Sequence, residues 1–154
     1  HGLEKRGAED HGMGRTRGGL TTKLHALVDG AGRPVAMTLT AGQVHDSRAA
    51  LGLMEGLRTG QTLMADKAYD ADAILARCRA AGARANIPPK AYRKTPQPFD
   101  RALYRRRNVV GRFFNRIKQY RGMATRYDKH AETFMAGLTL AAIRITIQCN
   151  ESTA

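Results

Sequence analysis

Four residues in the stretch "YRRRNVVGRFFNRIK", which runs from Tyr104 to Lys118, have the types and spacing to handle phosphate: Tyr104, Arg107, Asn115 and Lys118. At ~100° per residue, Tyr104, Arg107, Gly111, Asn115 and Lys118 fall on one narrow helical stripe. The spacing is tyrosine, two residues, arginine, three residues, glycine, six residues, lysine. Arginine and lysine supply charge-assisted hydrogen bonds, and arginine can grip two oxygens at once. The plainer alternative is a solvated basic face. Gly111 is out of place in either case, because glycine inside a helix costs roughly 1 kcal/mol relative to alanine. Asp66 is a further candidate, at the end of a short apolar run over residues 62–65. A strand terminus presents a carboxylate rigidly, although aspartate is also a common turn and cap residue.

These groups need elements to hold them. The stripe borders an apolar face made by Val109, Val110, Phe113, Phe114 and Ile117, so a long helix is expected over residues 101–121. Ahead of it lies a basic, proline-bearing loop, residues 90–100. Upstream, residues 21–28 and 35–40 alternate across the turn cluster 29–34, which reads as a hairpin. One side of its first strand carries Thr22, Leu24, Ala26 and Val28, and the other Lys23, His25 and Leu27. Helices are expected over 46–57, capped by Asp46 or Ser47, over 71–81, stopped by Gly82, and over 129–148. His45 and Asp46 could support a site but fit a helix cap better, and His25 reads as structural. Short strands are expected at 62–65 and 84–87. The class is α/β with a mixed sheet. Residues 1–19 read as a loose leading loop and 20–154 as one domain.

Charge narrows the partners. Lys plus Arg number 26 against 13 Asp plus Glu, a formal net charge of +13 and a pI near 10.6. Such a balance points to a polyanion, nucleic acid or an anionic membrane surface. Residues 90–121 hold eleven of the cations and one acid, Asp100. That much like charge on one segment repels itself unless phosphates lie close. Tyr92, Phe99, Tyr104 and Tyr120 are interleaved and could stack on bases or be core. Candidate DNA contacts here are Lys90, Arg93, Lys94, Arg105, Arg106, Arg112, Arg116 and Arg121; Arg15, Arg17, Lys23 and Lys67 flank the other motifs. Two cysteines, Cys78 and Cys149, make neither a metal spacing nor a disulfide framework. The apolar run 134–147 is broken by Arg144 and short for a bilayer, so it reads as a packing helix and no membrane partner is expected. The two unpaired cysteines fit a reducing compartment. The first residue is His1, which reads as a fragment or a start in mid-frame.

The blocks "GRTRGGLTTKLHALVDGAGRPVAMTLTAGQVHDS", "ADKAYDADAI", "IPPK" and "ATRYDK" resemble the transposases of bacterial insertion sequences, specifically the IS-five group. The resemblance runs through nearly all of residues 1–148. It implies a ribonuclease-H-like fold with three acidic residues, the DDE triad. In that scheme the acids hold two Mg²⁺ ions for in-line attack on a DNA phosphodiester. The group's third segment reads tyrosine, two residues, arginine, three residues, glutamate, six residues, lysine. Tyr104, Arg107 and Lys118 match it, and Gly111 stands at the glutamate position. Asp66 matches the second acid and would be the metal ligand. The first acid belongs on a strand upstream of "GRTRGG" that this sequence lacks, and Asp10 has no strand pattern around it to replace it.

One acid of three is then in place, and a lone carboxylate does not hold two hard cations. The expected fold is a ribonuclease-H-like mixed sheet flanked by helices, without its first strand. Losing that strand leaves backbone groups unpaired between the hairpin and the strand that ends at Asp66. The chain alone is therefore expected to be poorly stable or to pair with an upstream-encoded segment, and a homo-oligomer is also open. The leading function is a transposase catalytic-domain fragment acting on double-stranded DNA, at insertion-sequence ends and target, and inactive as it stands. The alternative is a non-catalytic basic DNA-binding module at transposon ends. A basic structural or RNA-binding protein fits the sequence blocks less well.

Overall fold

The computed structural model describes residues 14–16, 19–120 and 131–153. Arg17, Arg121, Asp10 and the "ATRYDK" block lie outside the described residues. Strand β1 (Gly14–Thr16), β2 (Gly19–Val28) and β3 (Pro34–Ala41) form an antiparallel sheet in that order. Helix α1 (Asp46–Leu53) continues into a 3₁₀ turn, and β4 (Thr62–Met64) follows. A second 3₁₀ turn (Lys67–Tyr69), α2 (Asp72–Ala80) and β5 (Arg84–Asn86) come next, with β5 parallel to β4. Then come α3 (Arg101–Tyr104), a 3₁₀ turn (Arg105–Arg107), α4 (Asn108–Gln119) and α5 (Ala131–Thr153).

The alternation in β2 sorts its side chains as expected. Leu24, Ala26 and Val28, with Met37 and Leu39 of β3, pack on a core of Phe113 and Ile117 from α4 and Phe134, Leu138 and Ile145 from α5. From the opposite side, Lys23 reaches α1, its Nζ 2.9 Å from Asp46 Oδ1. Buried His25 bonds Thr40 Oγ1 at 2.8 Å, a structural role. The hairpin turn is held by Asp29, whose carboxylate accepts from the Ala31 and Arg33 amides. Gly32 is required there twice over: its φ is +86°, and a Cβ would lie 3.3 Å from Val109. A second core joins Met54 to Ile74, Cys78 and Ile87, binding the α1 end to α2 and β5.

Several expectations are corrected. The leading loop is partly strand: Gly14–Thr16 pairs with residues 19–21, so β2 starts at Gly19. Glycines at 14 and 19 disfavour strands intrinsically, but ladder pairing overrides so weak a preference. Of the residues offered as the cap of α1, it is His45 whose Nδ1 accepts from the Ser47 amide, while Asp46 and Ser47 lie inside the helix. The helix expected over 101–121 is α3, a tighter 3₁₀ turn and α4 in succession, ending at Gln119. The last helix runs on to Thr153. The single mixed sheet is instead two sheets, three antiparallel strands and two parallel ones. Between β2 and β4 lies a cavity of about 170 Å³ rather than a ladder.

Candidate active site

Asp66 stands two residues beyond β4 and caps the 3₁₀ turn after it. Its backbone is extended, and Oδ1 accepts from the Ala68 amide at 3.0 Å. Oδ2 accepts from Arg107 Nη2, also at 3.0 Å, across 41 residues of sequence. The candidate site aspartate is thus also a turn cap. Both carboxylate oxygens are engaged, yet the pair is over a third exposed, so its contribution to stability is small, about 0–1 kcal/mol.

Arg107 is placed by what precedes it. Buried Asn86, at the end of β5, bonds the Asp100 carbonyl and amide through its side chain, at 3.0 and 2.8 Å. Asp100 in turn caps α3, accepting from the Leu103 amide. The start of the arginine-rich segment is therefore stapled to the parallel sheet that also carries Asp66. Arg107 ends the 3₁₀ turn with Nη2 on Asp66, while its Nε is buried with no partner.

Asp66 and Arg107 line the cavity between β2 and β4. Leu24 to Val28 form one wall and Leu63 to Ala65 the other, with Val110 and Phe114 of α4 above. Tyr69 lines it too, and sequence reasoning passed over it although it lies within the quoted "ADKAYD". Burial pushes the Tyr69 hydroxyl pKa up, and the charges of Asp46 and Asp66 push it further, against Arg107. Among the described residues no group of three His, Cys, Asp or Glu is arranged to hold a metal ion.

Gly111 follows Arg107 by one helical turn on α4. A Cβ at Gly111 would meet only Asn108 Oδ1, at an ordinary 3.5 Å, and the backbone is not in the left-handed region. No contact in this fold requires glycine there. Tyr104 packs edge-on against Phe99, ring centroids 5.2 Å apart. The 3₁₀ winding between Tyr104 and Arg107, ~120° per residue, brings positions three apart into line. Lys118 is exposed near the far end of α4, with no contact to Asp66.

The candidate DNA contacts divide in two. Arg93 is a strut: it bonds buried Asp70 at 2.8 Å and Asp72 at 2.7 Å. Lys23 is paired with Asp46 and also donates to the Val44 carbonyl. Lys67, Lys94, Arg105, Arg106, Arg112 and Arg116 are exposed and Lys90 is half-buried, although Arg116 also donates to Cys149 Sγ at 3.1 Å. The backbone of Arg15 lies in β1.

The transposase DDE domain family matches residues 2–145. A provisionally named transposase for insertion sequence element IS6501, from Brucella ovis, is 36% identical over 132 residues, 84% of this chain and the full length of that relative. No solved structure matches. The chain belongs to the transposase DDE domain family of bacterial insertion sequences, whose activity is DNA strand transfer. The family generally works with a divalent metal. Among the described residues the donor set does not fit one: Asp66, the acid the sequence offers, already accepts from Ala68 and Arg107.

Proposed function

We propose that this chain is a DDE transposase catalytic domain of the IS-five group in which DNA recognition persists and the strand-cleaving centre is incomplete. The carrying observation is the Asp66–Arg107 pair, which joins the strand acid to the helix arginine with Gly111 one turn further along. A carboxylate at 111 would project from the same helical face as Arg107. In this reading the exposed arginines of α3 and α4 grip phosphates of insertion-sequence ends and target. Lys118 and Tyr104 belong to the same stripe, and Asp66 is the acid that a restored site would offer to Mg²⁺ once freed from Arg107.

In the same reading, an upstream-encoded segment adds a strand to the gap between β2 and β4 and completes a ribonuclease-H-like sheet. The facing walls of the cavity and the unpartnered Arg107 Nε favour it: an acid at the end of such a strand would meet that donor. A second copy could cover the exposed Leu140, Ile143 and Ile147 of α5. That helix carries only Glu132, Arg144 and Glu151 as described charges, so copies meeting there avoid the repulsion of +13 against +13. Such a protein works in the cytoplasm, on the nucleoid. Among the described residues no helix is long and apolar enough to cross a membrane.

The alternative, a non-catalytic module competing at transposon ends, shares the basic helix and lacks the chemistry. A Mg²⁺-dependent cleavage and strand-transfer assay on end-containing duplex separates the two. Gly111→Glu with the acid-bearing upstream segment should cleave if the catalytic reading holds. Binding without cleavage in that restored form would favour the module.

A further inference from the structure

Tyr92 is four-fifths exposed, while the other described aromatic rings are buried or partly buried. It sits in a turn closed by a hydrogen bond from the Arg93 amide to the Lys90 carbonyl, 3.0 Å. Both ends of that turn are tied to one buried carboxylate. The Lys90 amide donates to Asp70 at 2.7 Å, and Arg93 Nε donates to Asp70 at 2.8 Å. The ring is thus displayed to water from a clamped backbone. A clamped turn makes a ring a platform, because little further order is lost when a ligand settles on it.

The turn borders an open cleft of about 450 Å³ whose rim carries Arg79, Lys90 and Lys94. None of these three pairs with a carboxylate among the described residues, whereas Arg93 is neutralised by Asp70 and Asp72. An aromatic face beside free cations fits a ligand with a flat π-system and phosphates. In a duplex both faces of every base are covered by neighbours, so only an unpaired or extruded nucleotide offers a face to the ring.

We infer that the cleft beside the Lys90–Arg93 turn binds an unpaired nucleotide, its base stacked on Tyr92 and its phosphates met by Arg79, Lys90 and Lys94. This rests on the reading that the chain binds DNA, and adds to it a preference for unpaired structure. The site lies on the loop between β5 and α3, separate from the Asp66–Arg107 cavity.

The test compares two labelled duplexes of equal length and phosphate count, one fully paired and one with an internal bubble, by fluorescence anisotropy with the full chain. The bubble should bind about tenfold more tightly, and Tyr92→Ala should bring the two affinities together. Tyr92 is exposed, so this replacement removes no core contact. The chain has no tryptophan, so Tyr92→Trp supplies a single reporter, expected to be quenched by the bubble and not by the paired duplex. Equal affinity of the unaltered chain for both duplexes, a preference that survives Tyr92→Ala, or an unquenched tryptophan would each overturn the stacking site while leaving DNA binding intact. Failure to bind either duplex would remove the DNA reading and the inference together.

Discussion

Arg107 Nη2 lies 3.0 Å from Asp66 Oδ2, joining the end of a parallel strand to the turn that opens α4. The pair is half-exposed and worth little as a stabiliser. Asp66→Asn should therefore shift unfolding free energy by less than about 1 kcal/mol. A urea titration of both forms checks this, and a much larger loss would mean that Asp66 carries the fold rather than the site.

Gly111→Ala should raise stability by about 1 kcal/mol. The added methyl meets only Asn108 Oδ1 and the helix gains a better former. Denaturation midpoints of the two proteins decide it; destabilisation would show that glycine serves packing.

Acid should loosen the loop between β5 and α3. Burial pushes the Asp70 carboxyl pKa up, but the Arg93 hydrogen bond, the Lys90 amide and their positive charges outweigh it, leaving the folded value below 3.8. A carboxylate depressed on folding contributes stability above its unfolded value, and that contribution disappears as pH falls through the folded value. Unfolding free energy measured downward from pH ~5 should decline, with a flatter acid limb in Asp70→Asn. Arg93→Ala should cost about 3 kcal/mol near neutral pH, since it strands a buried carboxylate. His25 acts higher up the scale. Burial lowers its pKa from 6.5, so the unfolded chain takes up a proton that the fold refuses, and stability should already sag as pH falls below that value.

Affinity for duplex DNA should fall steeply with salt. Neutralising exposed Arg105, Arg106 or Arg112 should each reduce the log–log slope by about 1. Arg93→Ala should leave the slope nearly unchanged, because its charge is spent on Asp70 and Asp72. A flat salt response of the unaltered chain would remove phosphate contacts as the main source of affinity.

What was legible in the sequence follows local physics. Period-two alternation marked β2 and β3 and the faces of their side chains, and the apolar spacing of Phe113 and Ile117 found the core of α4. Asp66 and Arg107 were each found by motif, but no local pattern says that they touch. The packing of Tyr104 on Phe99 carried no spacing signal, because Phe99 lies in the loop ahead of the helical pattern. Arg93 looked like a phosphate contact because its neighbours are basic; its partners, Asp70 and Asp72, are more than twenty residues away. Tyr69 carried no spacing signal, since its place in the site depends on how α1 and α4 close over β4.

In the proposed reading Gly111, not a lost fold, is what leaves the Asp66–Arg107 site short of a metal-holding carboxylate. The direct measurement is Mg²⁺-dependent cleavage of end-containing duplex DNA by the chain alone and by Gly111→Glu combined with the upstream acid-bearing segment. The chain alone should bind without cleaving, and the restored form should cleave. Cleavage by the unaltered chain on its own, or none by the restored pair, would contradict it.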